Sequence, residues 1–194
     1  QKGRLARVDK MYDLGFYTGY HREAEPRPTT PELRIEDLDK DGIDAEIVYG
    51  ILGANEKIQD GDLRGWVYQK YNDWVADFAS HDQKRFLAGS VIPMGDIGWA
   101  ERELERVAKK GARTAAISLE PPEGCPPYRN SAYDRFWSIA EDMEIPLTLH
   151  IFMGKPRPHF EALPPERQDE NAEILLLSQY EITWVLARDF IFGT

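Results

Sequence analysis

His150 sits in the run Leu147-Thr148-Leu149-His150-Ile151-Phe152, directly after Pro146, and places one imidazole inside an apolar, strand-forming segment. In parallel sheets, ligands and reacting groups gather where strands end at their carboxyl side, and His150 stands near such an end. Alone, it reads equally as a metal ligand or as a core histidine bonded to a neighbouring carbonyl. Three other side chains share strand-end positions: Tyr49 and Phe152 as walls for a flat substrate, and Glu120 leaving an apolar run at its carboxyl end. Their alternatives are a core role for the aromatics and a solvated loop for the glutamate. His21 and His159 fall in polar loops and read as solvated, with His159 the closer candidate because it follows a strand end. His81 closes a helical stretch, where a cation suits the helix dipole. Cys125, followed by Pro126 and Pro127, has no nearby cationic partner in sequence and makes no case for a nucleophile.

Composition narrows the chemistry. The chain has 194 residues, 42% of them hydrophobic, enough for one sizeable core or two small ones. Asp and Glu outnumber Lys and Arg by 34 to 24, a net charge of -10, which leaves no cationic excess for a phosphate backbone, so nucleic acid is not an expected partner. No apolar stretch nears the roughly 20 residues a bilayer requires, and no leader opens the chain, so a cytoplasmic protein without membrane contact is expected. One cysteine excludes an internal disulfide or a thiolate cluster, so any metal must use imidazole and carboxylate. The start at Gln1 and the apolar finish Phe190-Ile191-Phe192-Gly193-Thr194 suggest a piece of a longer protein.

Residues 1–34, with Pro26, Pro28 and Pro31, read as an irregular arm, and residues 35–194 as the folded domain. A short acidic helix over 35–41 leads into a strand over 43–50. A helix over 62–80 follows, with Val67, Tyr71, Trp74, Val75 and Phe78 on its buried face. Phe86 to Met94 gives the next strand, ended by Pro93. The next helix carries Ala100, Leu104, Val107 and Ala108 and stops at Lys109-Lys110-Gly111, a left-handed cap. Ala115 to Leu119 forms a strand. Ser131 and Asp134 resemble a capping box for a helix burying Tyr133, Phe136, Trp137, Ala140 and Met143. The His150 strand comes next, then a proline-rich loop and a helical pattern over about 168–190. Four strand and helix repeats with continuous apolar strands predict parallel strands under helical crossovers, in either a doubly wound sheet or half of an eight-stranded barrel.

The run Leu38-Asp39-Lys40-Asp41-Gly42-Ile43-Asp44-Ala45-Glu46-Ile47-Val48-Tyr49-Gly50 resembles the second-strand region of the amidohydrolase-related proteins that include aromatic-acid and aminocarboxymuconate-semialdehyde decarboxylases. Tyr71-Asn72-Asp73-Trp74, Tyr133-Asp134-Arg135-Phe136-Trp137 and Ile145-Pro146-Leu147-Thr148-Leu149-His150 are similar to later stretches of that family, in the same order. The resemblance covers most of residues 35–194. It implies an α/β fold, a metal-bearing (β/α)8 TIM barrel of which this chain supplies strands two to five. It also implies that His150 is a metal ligand, with zinc or manganese as the ion. The remaining ligands would come from a histidine-containing or acidic pair on strand one and an aspartate on strand eight, with a further catalytic histidine on strand six. No His-x-His or Glu-x-His precedes residue 35.

The expectation is therefore a metal-dependent enzyme that decarboxylates or hydrolyses a small aromatic or unsaturated carboxylic acid, and self-associates. A rival reading is a non-catalytic half-barrel that associates through open sheet edges. A doubly wound nucleotide-binding domain ranks last, since no glycine-rich phosphate loop follows any strand.

Overall fold

In the computed structural model, the described residues are 30–50, 58, 60–150, 180, 184, 188 and 190. Five helical segments and four strands alternate along them. Helix α1 spans Pro31–Asp41 and strand β1 Glu46–Val48, followed by α2 over Gly61–Ser80 and β2 over Phe86–Val91. Helix α3 (Ile97–Lys109), β3 (Thr114–Ser118), a 3-10 turn (Ser131–Tyr133), α4 (Asp134–Asp142) and β4 (Leu147–His150) complete the order. The strands form one sheet in sequence order, and every pairing is parallel. No helix among the described residues is long and apolar enough to cross a membrane.

Local chemistry sets the helix ends. Asp60 accepts a hydrogen bond from the Leu63 amide at 2.8 Å, and Asp96 accepts one from the Trp99 amide at 2.8 Å, satisfying donors that α2 and α3 leave open. Gly111, with φ +93°, takes the left-handed turn expected after α3. Several boundaries differ from the sequence expectation, β1 covering only part of the expected 43–50 and β2 ending at Val91 rather than Met94. Helix α1 begins at Pro31 rather than residue 35, because Thr30 caps it and proline at the first helical position gives up only an amide that has no intrahelical partner. The predicted Ser131 cap is absent. Asn130 caps the 3-10 turn by accepting from the Ala132 amide, and α4 then starts without a side-chain cap.

Side chains alternate across a strand, so the pairing register assigns faces. On β3 and β4, Ala115, Ile117, Leu147 and Leu149 face outward into a cluster with Leu104 and Val107 of α3 and Phe136 and Ala140 of α4. On β2, Phe86 and Ala88 meet Tyr68, Val75 and Phe78 of α2. Trp74 corrects the predicted buried face of α2: it is 49% exposed, while Tyr68 is fully buried. The buried stripe runs through Tyr68, Tyr71, Asn72, Val75 and Phe78, and Trp74 lies on its edge against the rings of Tyr71 and Phe78.

The opposite face holds Tyr49, Gly89, Ala116, Thr148 and His150. There the Tyr49 hydroxyl lies 3.2 Å from Thr148 Oγ1, joining the residue after β1 to the middle of β4. In a flat four-stranded sheet the outer strands stand roughly 14 Å apart, with side chains perpendicular to the sheet. This bond therefore requires the sheet to curl strongly towards that face, as half of a closed barrel does, and it decides against the flatter doubly wound alternative. The curled strands are half of a (β/α)8 barrel, and this face is its interior.

Gly89 makes the curl possible. A Cβ there would stand 2.6 and 2.7 Å from two atoms of the Tyr49 ring and 2.9 Å from the Val48 carbonyl oxygen. Gly89→Ala is expected to lower stability by about 1–3 kcal/mol in denaturant unfolding, the usual cost of overpacking. Adding Tyr49→Ala should recover part of that loss and no more, because the Val48 carbonyl still opposes the new methyl group. Strict additivity of the two substitutions would show that ring and glycine do not meet.

Candidate functional site

His150 is the last residue of β4 and projects from the interior face at the carboxyl end of the sheet. It is half-buried, and that burial lowers its pKa from the ordinary imidazole value. A neutral imidazole is the form in which a histidine binds a metal ion. The ring belongs to the interior face of the barrel rather than to the face packed under the helices.

Its surroundings are polar. Ser118 pairs in register with His150 and shares its face. The Ser118 hydroxyl lies 2.8 Å from the Tyr128 hydroxyl, which donates to the Ser118 carbonyl at 2.9 Å. Tyr128 is buried, and burial pushes its phenol far above the usual range, so it remains a neutral donor that fixes Ser118. The Leu119 amide donates to the His150 carbonyl at 3.1 Å, anchoring the strand end. The next residue, Glu120, is half-buried and pairs with Arg188 at 3.4 Å. Two residues before His150, Thr148 carries the Tyr49 contact.

Of the residues singled out from sequence, the structure brings His150, Tyr49 and Glu120 to the carboxyl side of the same sheet. Phe152, His21 and His159 lie outside the described residues. His81 caps α2, its amide donating to the Phe78 carbonyl and its Nδ1 lying 3.5 Å from Glu32 Oε1. Cys125 is half-buried, with Sγ 3.7 Å from the Gly95 carbonyl oxygen and 3.8 Å from that of Met94. Sequence reasoning missed Ser118, Tyr128 and Thr148. Thr148 was within reach, because two-residue periodicity counted back from His150 puts it on the same face; Tyr128 sits in an irregular loop that carries no such signal.

Among the described residues no three His, Cys, Asp or Glu side chains come together as a metal site. His150 supplies one donor of the three protein ligands that catalytic zinc ordinarily takes, so the donor chemistry fits one corner of a metal centre and does not complete it. Two surface cavities, of about 490 and 730 Å³, lie elsewhere. One opens beside Trp137, Pro146 and Leu147, and the other beside His81, Lys84 and Arg113. Both stand at the amino ends of strands, opposite the end where parallel barrels bind ligands.

Comparison with known proteins gives consistent matches. The family model described as Amidohydrolase matches residues 10–169. Gamma-resorcylate decarboxylase of Polaromonas sp. (strain JS666) is 29% identical over 124 residues, covering 61% of this chain and 38% of that protein. The crystal structure of a 2,6-dihydroxybenzoate decarboxylase complexed with 2,6-dihydroxybenzoate is 26% identical, with a TM-score of 0.56 over 83% of this chain and 49% of that one. The dihydroxybenzoic acid decarboxylase from Polaromonas sp. JS666, solved with manganese and the inhibitor 2-nitroresorcinol, shares the fold at 24% identity, with a TM-score of 0.55 over 75% of this chain and 43% of that one. The chain spans between about two fifths and one half of the length of these relatives.

Proposed function

Because this chain belongs to the amidohydrolase family, its residues 10–169 matching the family model, we propose that the complete protein is a metal-dependent decarboxylase of a small aromatic carboxylic acid. The observation that carries this reading is His150, a neutral imidazole at the carboxyl end of a barrel strand, on the interior face of a sheet related in sequence to decarboxylases. His150 would hold one position on a divalent ion, zinc or manganese. When bound, such an ion orients the acid's oxygens and stabilises charge that develops on them.

Other residues of this half of the barrel would assist in the positioning. Tyr128 holds the Ser118 hydroxyl beside His150, the Leu119 amide fixes the strand end, and Tyr49 presents an aromatic face inside the barrel. Glu120, oriented by Arg188, and Phe152 are the further substrate-facing candidates. Decarboxylation is favoured over hydrolysis by the relatives that match across the sheet, and nothing in them favours the non-catalytic half-barrel.

The test is carbon dioxide release. The full-length protein, stripped by chelation and reloaded with manganese or zinc, is expected to release one carbon dioxide per hydroxybenzoate consumed and none while metal-free. Turnover of amides or esters without carbon dioxide would overturn the reading in favour of hydrolysis.

A further inference from the structure

Among the described residues, the ring of Tyr49 crosses the barrel interior below His150. Tyr49 emerges from the carboxyl end of β1, lies against the bare backbone of Gly89 on β2, and brings its hydroxyl to Thr148 on β4. Thr148 and His150 are two residues apart on one strand and one face, so His150 stands about 6–7 Å nearer the carboxyl end. On β3 the same face carries Thr114, level with Gly89, and Ala116, level with Thr148 at the ring's far end. Small residues under a large ring are what a plug requires: Gly89 and Ala116 give the ring room, and the Thr148 hydroxyl holds its far end.

We propose that Tyr49 is the floor of the substrate cavity and a specificity-determining residue, which confines a bound aromatic acid to the mouth side of its ring, where His150 stands, and rejects acids whose ring substituents reach below that ring. This rests on the decarboxylase reading for the identity of the ligand, and it adds which ring sizes the site accepts. The selection is steric. The hydroxyl contact keeps the ring in place, while the bulk of the ring does the excluding, so removing the hydroxyl alone leaves a phenyl group over Gly89 and removing the ring opens space down to Gly89 and Ala116.

Full-length wild-type protein and its Tyr49→Phe, Tyr49→Leu and Tyr49→Ala variants are compared with 2-hydroxybenzoate and its 3-, 4- and 5-tert-butyl derivatives. Two quantities are read for each: kcat/KM from carbon dioxide release and Kd from calorimetry. Tyr49→Ala is expected to raise the preference for at least one bulky acid over 2-hydroxybenzoate by tenfold or more. Tyr49→Leu should give a smaller shift in the same direction, and Tyr49→Phe should keep the wild-type preference. Unchanged preferences in folded Ala and Leu variants would overturn the proposal. So would equal shifts in the Phe and Ala variants, which would assign selection to the hydroxyl. The Kd ratios keep the two readings apart: absent carbon dioxide release defeats the decarboxylase assignment, whereas the floor stands or falls on how the binding preference moves.

Discussion

Alanine at position 150 of the full-length protein is expected to reduce bound metal from near one ion per chain to under one tenth. Turnover of a hydroxybenzoate should fall by a factor of about 1000 or more, since loss of a direct ligand exceeds the 10- to 100-fold typical of residues that merely orient one. The fold should survive, because His150 is half-buried at the open end of the sheet and its outward neighbour Leu149 keeps the packing against α3 and α4. Metal analysis and circular dichroism of the same samples separate the two effects, with His150→Gln as a control that keeps bulk but lacks the imidazole. Unchanged metal occupancy in both variants would remove the site. Acidity gives a second signature. Burial lowers the pKa of His150, so as pH falls the unfolded chain takes up this proton before the folded one does. Any stability His150 lends is therefore present above the ordinary imidazole range and is lost as pH falls through the lowered value. Proton and metal compete for one nitrogen, so a bound ion should persist to lower pH than it would on an exposed histidine, and loading with metal should deepen the acid limb of the stability curve.

The strands and their parallel pairing were legible in the sequence because both faces of these strands are covered or crowded, which leaves continuous apolar runs such as Phe86-Leu87-Ala88 and Ala115-Ala116-Ile117. His150 was legible for the complementary reason, as an ionisable group inside such a run. Periodicity alone left the choice between barrel and open sheet to the family resemblance, because that choice depends on curvature, and curvature here is expressed by Tyr49 and Thr148, 99 residues apart in the chain. Trp74 misled because helical periodicity gives a stripe but not its edges, and a tryptophan on the edge can lay one face on Phe78 while the other meets water. The start of α1 was hidden by three prolines that read together as irregular chain, although Pro31 alone is a helix opener. The polar cluster around Asn72 was wholly illegible, since an asparagine within an apolar stripe gives no indication of which main-chain groups it satisfies.

Asn72 carries the second large effect, on stability. It is buried on α2, where its side-chain oxygen accepts from the Val91 amide at 2.8 Å. Its amide nitrogen donates to the Val91 carbonyl at 3.1 Å and to Glu103 Oε1 on α3 at 2.8 Å. One side chain thus satisfies both main-chain groups at the carboxyl end of β2 and one oxygen of a buried carboxylate. Arg106 donates to both Glu103 oxygens and, at 2.5 Å, to Asp73, which Lys110 also engages, and these cations hold the Asp73 carboxyl below its usual pKa. The charges inside the cluster balance, so its weak point is the neutral group that ends it. Asn72→Ala strands an amide, a carbonyl and part of a charge away from water, at about 1–3 kcal/mol for each neutral group left unpaired. A net loss of about 3–5 kcal/mol is expected, seen as a fall of roughly 6–20 °C in Tm for a protein in this size range. Asn72→Asp should be no better, because it keeps the acceptor for the Val91 amide but turns carboxylate oxygen towards the Val91 carbonyl and Glu103. Glu103→Gln should cost less than Asn72→Ala, since an amide there still accepts from Asn72 while giving up the charge shared with Arg106. Glu103→Ala, which removes the acceptor, should show strong coupling when combined with Asn72→Ala, because each of those substitutions removes the same bond. Additive losses would mean that Asn72 and Glu103 stabilise the junction of α2, β2 and α3 independently, and the cluster would then be two neighbouring contacts rather than one connected unit.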